Sequence, residues 1–317
     1  MTSAAPSRPH ARAVRQLLLG LVPVLVVGLV LLVVLAVRLP GTQAPLAAAD
    51  ATASATVVRD GLDPAGRGVR VSFTDAAGEE RTGVLVLRTA VDVAPDAAVT
   101  VQYDPAAADG SRVYADGDAA HGAVGDVVFG LVLVALVGLA VSVLTGLRLL
   151  SRRRLAGRPT TAVTVTHLVV RRGLLVRSWL ELVTPHGVRW VPVHWAPEVD
   201  RARPDSPALV HGDPATDALV LPVLDGQQVW PSGRVRRSAP RGDVRQAGVD
   251  PEAPDVGLAR QARSDGVPVV LAPVLGLLWA YVDGSGAAGF VVAGALAAAV
   301  LFWLPQFLGS DPAATSR

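Results

Sequence analysis

Twenty-two consecutive residues without a charge, Gln16 to Val37 (QLLLGLVPVLVVGLVLLVVLAV), constrain this chain more than any other feature. At about 1.5 Å of helical rise per residue they cover a hydrocarbon layer of roughly 30 Å. In such a layer a helix is the single-segment way to satisfy every backbone group. Three more runs share the character. Val124 to Leu147 carries only Asp126 near its edge, and Val267 to Val282 and Ala287 to Leu304 are joined by a short Asp-Gly-Ser-Gly link that suits a helical hairpin. With 51% hydrophobic residues, the 317-residue chain is too apolar for an ordinary soluble domain.

The expected fold class is a membrane α-helical protein with four transmembrane helices and two small all-β modules, barrel- or sandwich-like, one on each side of the membrane. The spans are placed at 16–38, 123–147, 265–283 and 287–305, with an outer hairpin turn at 284–286. An extracytoplasmic β module fills 39–122, a cytoplasmic β module 148–237 and a flexible linker 238–264. The tails are 1–15 and 306–317.

Orientation follows from Arg. Arg8, Arg12 and Arg15 precede the first span; Arg148, Arg152, Arg153, Arg154 and Arg158 follow the second. Residues 39–122 hold 6 Arg against 12 acids, and residues 149–266 hold 17 Arg against 12. The positive-inside rule puts the basic flanks and both termini in the cytoplasm of a multi-pass plasma-membrane protein. Arg152, Arg153, Arg154 and Arg158 are assigned to the membrane surface as topology determinants. A secretory signal is the rival reading of the first run, but its apolar core is too long, and an uncleaved anchor is expected.

Turn residues recur at a distance of 109. Gly78 and Gly187, Pro95-Asp96 and Pro204-Asp205, Asp104-Pro105-Ala106 and Asp213-Pro214-Ala215, and Asp116-Gly117 and Asp225-Gly226 match without gaps, as do Val84 with Val193 and Val101 with Val210. Pro presets φ, Asp caps a turn and Asp-Gly suits a tight hairpin. Between the turns apolar residues alternate: Val69, Val71 and Phe73, then Val84 to Leu87 and Val99 to Val101; in the later segment Val163/Val165, Trp179 to Val183, Val188 to Val193 and Leu219 to Leu224. The expectation is an internal repeat of a small β module.

A helix, a β module ending in VTVQYDP, a second helix, an Arg cluster and a segment ending in VWPSGRVRR together resemble a family of uncharacterised actinobacterial multi-pass membrane proteins. That family has a small extracytoplasmic β module ending in a V-x-V-x-Y-D-P motif. The resemblance implies membrane localisation and brings no activity. The later copy departs from the motif, with Gly212 at the position of Tyr103.

Every basic residue is Arg, and there is no Cys. Schiff-base and phosphate-loop lysines, thiol nucleophiles, thiolate metal sites and disulfides are therefore excluded. Gly284 to Gly289 spells G-x-G-x-x-G between two apolar runs, without the strand that a dinucleotide site needs. His186, His194 and His211, with Glu198, lack the helical ligand spacing of a zinc site, since Pro197 intervenes; they and His167 and His121 read as surface or partly packed side chains. Asp109, Asp116 and Asp118 lack the closing Glu of a calcium loop. No catalytic residue, cofactor site or metal site is expected.

Ser142 and Thr145, deep in the second span, are expected to bond backbone carbonyls. Small residues at a spacing of four, Gly138, Ser142 and Gly146 on the second span and Gly289, Ala293 and Ala297 on the fourth, are assigned to helix packing. The basic run Arg234 to Arg245 has no interleaved aromatics, so nucleic acid is not an expected partner. The expected partners are the lipid bilayer and other membrane or envelope proteins; the oligomeric state is not legible. The expected role is a non-enzymatic scaffold, accessory or envelope-linked sensor coupling the two modules. The alternative is an accessory subunit of a membrane enzyme or transport system whose active group lies on another chain.

Overall fold

The computed structural model describes residues 11–313. Arg8 and the outer parts of both tails lie outside them. Helix α1 (Ala11–Ala48) leads into β1 (Ala51–Arg59), β2 (Gly68–Thr74), β3 (Glu80–Val86), β4 (Ala98–Tyr103) and β5 (Arg112–Val113), and then into α2 (Ala119–Arg153). After a 3-10 turn at Arg154–Gly157 come β6 (Thr160–Arg172), β7 (Leu175–Thr184), β8 (Gly187–Val193), α3 (Pro197–Arg201), β9 (Ser206–His211), β10 (Leu221–Leu224), β11 (Gln227–Gln228) and β12 (Asp243–Gln246). Helices α4 (Leu258–Asp265), α5 (Ala272–Asp283) and α6 (Gly286–Leu308) follow. The chain divides into two compact units, residues 29–136 and residues 1–28 with 137–317, the divisions falling inside α1 and α2.

Among the described residues, four helices are long and apolar enough to cross a membrane: Ala11–Ala48, Ala119–Gly157, Leu258–Asp283 and Gly286–Leu308. Their side chains point largely outward, with Leu29, Val33 and Val37 of α1 and Leu136 and Leu139 of α2 more than half exposed. Apolar bands of that extent are foreign to a monomeric surface in water. The third expected span is interrupted: Pro268 and Pro273 lack N–H donors, and a 3-10 turn (Val267–Leu271) separates α4 from α5.

In residues 29–136 the sheet runs β4-β1-β2-β3-β5, with only β3 and β5 parallel. A bridge between Gln102 and Tyr114 brings the end of the β5 strand back to β4. The connectivity is that of a partly closed five-stranded Greek-key barrel of the OB type. Its core holds Ala55, Val57, Val69, Val71, Phe73, Leu85, Val101, Tyr103 and Val113. The V-x-V-x-Y-D-P motif has a physical reading here. Val101 and Tyr103 point inward, the Tyr103 ring packs 4.9 Å from Phe73 and its hydroxyl accepts from the Ala76 amide at 3.0 Å. Asp104 then turns the chain. Gly83 is required because a Cβ there would lie 2.4 Å from Val113, the residue by which β5 closes the sheet.

The other unit contains the sheet β11-β10-β9-β6-β7-β8, and β12 pairs with β6 beyond the end of β9. Residues 229–236 bond on to β10 through Val229 and to β8 through Trp190 and Arg236, so this sheet also curls back. Its core comprises Val163, Val165, Leu180, Leu182, Val191, Val193, Val199, Val210, Val220, Leu224 and Val229.

The two sheets share the order of their first four strands, β4-β1-β2-β3 and β9-β6-β7-β8, all antiparallel. Core-facing partners correspond as well: Ala53–Val101 with Val163–Ala208, Ala55–Phe73 with Val165–Leu182, and Val71–Gly83 with Leu180–Val191. Both fourth strands are entered through Pro followed by Asp at positive φ (Asp96, 64°; Asp205, 56°), with the next amide bonded three residues back, the type II pattern. Asp104 and Asp213 each accept from the amide two residues on, at 2.9 and 2.8 Å.

The constant spacing of 109 is corrected. Ladder partners are 110 apart at Ala55/Val165, 109 at Phe73/Leu182, 108 at Leu85/Val193 and 107 at Tyr103/Val210. Val84 and Val193 are therefore not equivalent, because Val193 is in the core and Val84 faces away from Leu85. Asp225-Gly226 makes a two-residue hairpin with both φ positive, whereas at Asp116-Gly117 only the glycine is positive and the chain turns into α2.

The segment 238–264, expected as a flexible linker, contains β12 and nearly all of α4. The expectation missed β12 because Asp243–Gln246 is exposed throughout with Val244 its one apolar residue, and missed α4 because the residues it buries, Gln261 and Asp265, are polar.

Candidate functional site

Among the described residues, the polar interior of the unit formed by residues 1–28 and 137–317 is where charged and amide side chains converge away from solvent. Arg12 and Gln16, four apart on the first turns of α1, point into the same face and are both buried. The Arg12 guanidinium bonds Asp255, the Val256 carbonyl and, at 3.3 Å, Gln261 Oε1, and it stacks 4.4 Å over the Trp195 ring. Gln16 Nε2 donates to the Ser310 carbonyl at 3.2 Å and the Ser310 hydroxyl at 3.0 Å. A carbonyl cannot donate, so this fixes the amide, and Gln16 Oε1 must accept from His194 Nδ1 at 3.1 Å. Gln261 Nε2 donates to Ser310 Oγ at 3.0 Å and to Asp265 Oδ2 at 2.8 Å. The chain reaches Ser310 through Gly309 at φ 78°, where a Cβ would meet Ser232 at 2.5 Å.

A second cluster adjoins it through Asp311. Ser178 Oγ lies 3.2 Å from His167 Nε2, and His167 Nδ1 lies 3.5 Å from Asp200 Oδ1, the order of a hydrolytic triad. Its polarity is reversed. The Ser178 hydroxyl donates to Asp311 Oδ2 at 2.8 Å, so His167 donates to the serine and does not receive its proton. Ser178 is fully buried, and Asp200 is also taken by the Trp195 indole at 2.9 Å. A nucleophile needs access to its substrate, and this serine has none. The cluster ties β6, β7, α3 and the segment after α6 together. Beside it, burial pushes the Arg177 guanidinium down to about 10; its Nη2 donates to Ser232 Oγ at 3.0 Å.

The Arg cluster after the second apolar run separates by function. Arg148 bonds the Phe307 carbonyl and lies 3.6 Å over the Phe307 ring. Arg152, assigned to the membrane surface, is corrected: it is buried, with Nε bonded to the Pro231 carbonyl at 3.0 Å. Arg158 pairs with Asp217 at 3.2 Å and the Leu219 carbonyl at 3.0 Å. Arg153 and Arg154 are exposed.

The packing ridges are corrected too. A Cβ on Gly138 or Gly146 would meet nothing within 4 Å, and one on Gly289 would meet only Ser285 of its own helix. Ser142 back-bonds the Gly138 carbonyl at 2.7 Å, as its mid-helix place predicts. Ala293 and Ala297 are half-buried and lie outside the packed cluster formed by Val24, Val141, Ala299 and Trp303. The close approaches fall elsewhere. A Cβ on Gly276 would sit 2.9 Å from the Gly294 Cα and the Phe290 carbonyl, and one on Gly20 2.8 Å from Gln306 Oε1. Thr145 receives the Trp303 indole at 3.1 Å, in place of bonding a carbonyl.

Of the histidines expected as surface or partly packed side chains, His167 and His194 are buried. Asp118 caps the start of α2: its Oδ1 accepts from the His121 amide at 2.8 Å and lies 3.0 Å from His121 Nδ1. No group of three or more metal-binding side chains occurs among the described residues.

Two hollows that share part of their walls lie beside the polar interior. One, of about 130 Å³, is lined by Arg171, Gly173 to Val176, Ser264, Asp265, Val267, Pro268, Pro305, Ser310 and Asp311. The other, of about 260 Å³, shares Leu174, Leu175, Pro268 and Pro305 with it and adds Arg172, Leu301, Leu304 and Leu308. No family model, no curated protein and no solved structure matches this chain.

Proposed function

We propose that the protein is a multi-pass plasma-membrane protein with a non-enzymatic coupling role, transmitting mechanical state between two β modules through α1 and α2. One observation carries this reading: both helices run from one compact unit into the other and end there in buried polar bonds. Arg12 and Gln16 anchor α1 near Val256 and His194, and Arg152 anchors α2 on Pro231. Exposed loops would not carry such fixed points. Displacing either helix strains bonds that have no water to replace them.

The two modules are read as an internal duplication. The shared strand order, the corresponding core pairs and the paired Pro-Asp and Asp-Pro turns support it. One-residue changes of spacing from strand to strand fit short insertions and deletions in the connections. The Arg excess of residues 149–266 supports a cytoplasmic place for the later module and an outer place for the earlier one, with both termini inside.

The chain has no Cys, so both statements are open to thiol chemistry. Single Cys at Ala76 and Ser285 should react with an impermeant reagent in intact cells, and Cys at Ser206 only after lysis. For coupling, Leu35→Cys and Gly130→Cys, on facing parts of α1 and α2, are joined by a short thiol crosslinker. Hydrogen exchange in residues 160–211 should change on crosslinking. Unchanged exchange there would sink the coupling role.

A further inference from the structure

Asp265 is 1% exposed, at the end of α4 and in the wall of the 130 Å³ hollow. Its Oδ2 accepts from Gln261 Nε2, and its Oδ1 has no hydrogen-bond partner. A buried carboxylate oxygen without a donor is expensive unless something supplies one. The hollow has room for several waters' worth of guest. Ser310 Oγ in the same wall already accepts from Gln16 and Gln261, and Asp311 from Ser178 and the Ala313 amide, so Asp265 Oδ1 is the acceptor left, and the guest that suits it donates a hydrogen bond and carries positive charge. Too few oxygens converge for a hard divalent cation, and no metal-binding group occurs among the described residues.

The surroundings narrow the guest further. The adjoining hollow is apolar, walled by Leu174, Leu301, Leu304 and Leu308, and lies along α6, one of the helices suited to a membrane. At the rim Arg171 and Arg172 are exposed, and neither forms an ion pair among the described residues. One carboxylate acceptor inside, guanidinium groups without an ion pair at the rim and an apolar hollow beside them match the three parts of one amphiphile.

We infer that this pair of hollows binds an aminophospholipid of the phosphatidylethanolamine class, its ammonium group on Asp265, its phosphate at Arg171 and Arg172, and an acyl chain along Leu301, Leu304 and Leu308. The assignment rests on the membrane reading above. A choline headgroup carries the same charge but has no N–H to give Oδ1, and a glycerol headgroup has no charge to give; both are weaker ligands here.

The test uses the full-length protein, stripped of lipid in detergent, with native mass spectrometry and thermal unfolding in the presence of phosphatidylethanolamine, phosphatidylcholine or phosphatidylglycerol of matched chains. Phosphatidylethanolamine should bind at least about tenfold more tightly than either, the ratio expected of a charge-assisted hydrogen bond. Asp265→Asn, which keeps the acceptor for Gln261, should remove the preference, and Leu304→Trp, which fills the channel, should weaken binding of the lipid. Tailless glycerophosphoethanolamine should bind far more weakly than the lipid. Equal binding of all three lipids, or a preference untouched by Asp265→Asn in a protein that still folds, would overturn the site. Tailless ligand as tight as the lipid would overturn the role of the channel. Failure of the membrane reading looks different: the protein would stay soluble without detergent and retain no lipid of any class.

Discussion

Gln16 is the point at which three segments of one unit are joined, and its replacement by Leu isolates the value of that joint. The side chain is 1% exposed, so no water replaces what is lost. Leu removes the Nε2 donor to the Ser310 carbonyl and the Oε1 acceptor of His194 Nδ1; the Ser310 hydroxyl keeps Gln261 at 3.0 Å. Two buried groups therefore lose a partner, at about 1–3 kcal/mol each, a destabilisation of roughly 2–5 kcal/mol. For a unit of this size that is a fall of roughly 5–15 °C in Tm. All six Trp (179, 190, 195, 230, 279 and 303) belong to this unit, so tryptophan fluorescence in detergent follows its unfolding alone. His194→Leu should cost a similar amount for the reciprocal reason. The double variant should cost at least about 1 kcal/mol less than the sum, because each single change strands what the other removes. A Tm loss under about 2 °C for Gln16→Leu, or strict additivity, would refute the reasoning.

Gly276→Leu should separate α5 from α6 and cost several kcal/mol, whereas Gly138→Leu, facing open space, should stay within about 0.5 kcal/mol in the same fluorescence assay. Arg152→Gln should lower the Tm of the Trp-bearing unit, while Arg153→Gln with Arg154→Gln should leave it unchanged and increase the misoriented fraction in a thiol-accessibility assay. The Ala215 amide, and after it the Thr216 hydroxyl, hold the Asp213 carboxyl below its usual range. Its contribution is therefore complete above the unfolded value of about 3.9 and lost as pH falls through the lower folded value. Asp213→Asn should be less stable than the parent at neutral pH and converge with it in acid; a gap that persists in acid would count against this. Asp96→Gly and Asp205→Gly should be tolerated, but the Val variants should each lose about 1–2 kcal/mol of stability in urea titrations, since β-branched residues resist positive φ.

What the sequence disclosed and what it hid divide along physical lines. Period-two alternation places Val69, Val71 and Phe73 on one face, and all three are core residues. Pro-Asp and Asp-Pro turns are local chemistry, and the chain turns where they stand. Long uncharged runs become long helices for the same reason: the signal lies within a few neighbouring residues. Small-residue ridges failed because a spacing of four says that one helix has a smooth face, and nothing about whether another helix lies against it. Gly138 and Gly146 are smooth toward empty space; Gly276, on a ridge of the same spacing with Ala272 and Ala280, lies opposite Gly294 and makes the close approach, so the pattern alone does not separate the two cases.

The polar interior was hidden for a deeper reason. Gln16 and Ser310 are bonded across 294 positions, Arg12 and Gln261 across 249, and Ser178 and Asp311 across 133. No periodicity reaches so far, and each residue alone reads as an ordinary boundary polar group beside an apolar run. One local clue existed. Gln16 opens its charge-free run four residues after Arg12, on a helical face that continues through Gly20 and Val24 without another polar side chain; a polar pair there has to find partners or stay in water. Arg12 finds them at Asp255, Val256 and Gln261, and Gln16 at His194 and at Ser310 beyond α6, so one amide side chain ties the first apolar helix both to the later module and to the end of the last apolar helix. Apolar contacts such as Val24 with Ala299 already join α1 to α6. Directional bonds add register: α1 sits at one height and one rotation relative to the module, and a shift of one residue breaks them together. Register is what transmission of displacement along a helix requires, and it is why the joint at Gln16 is the first place to test.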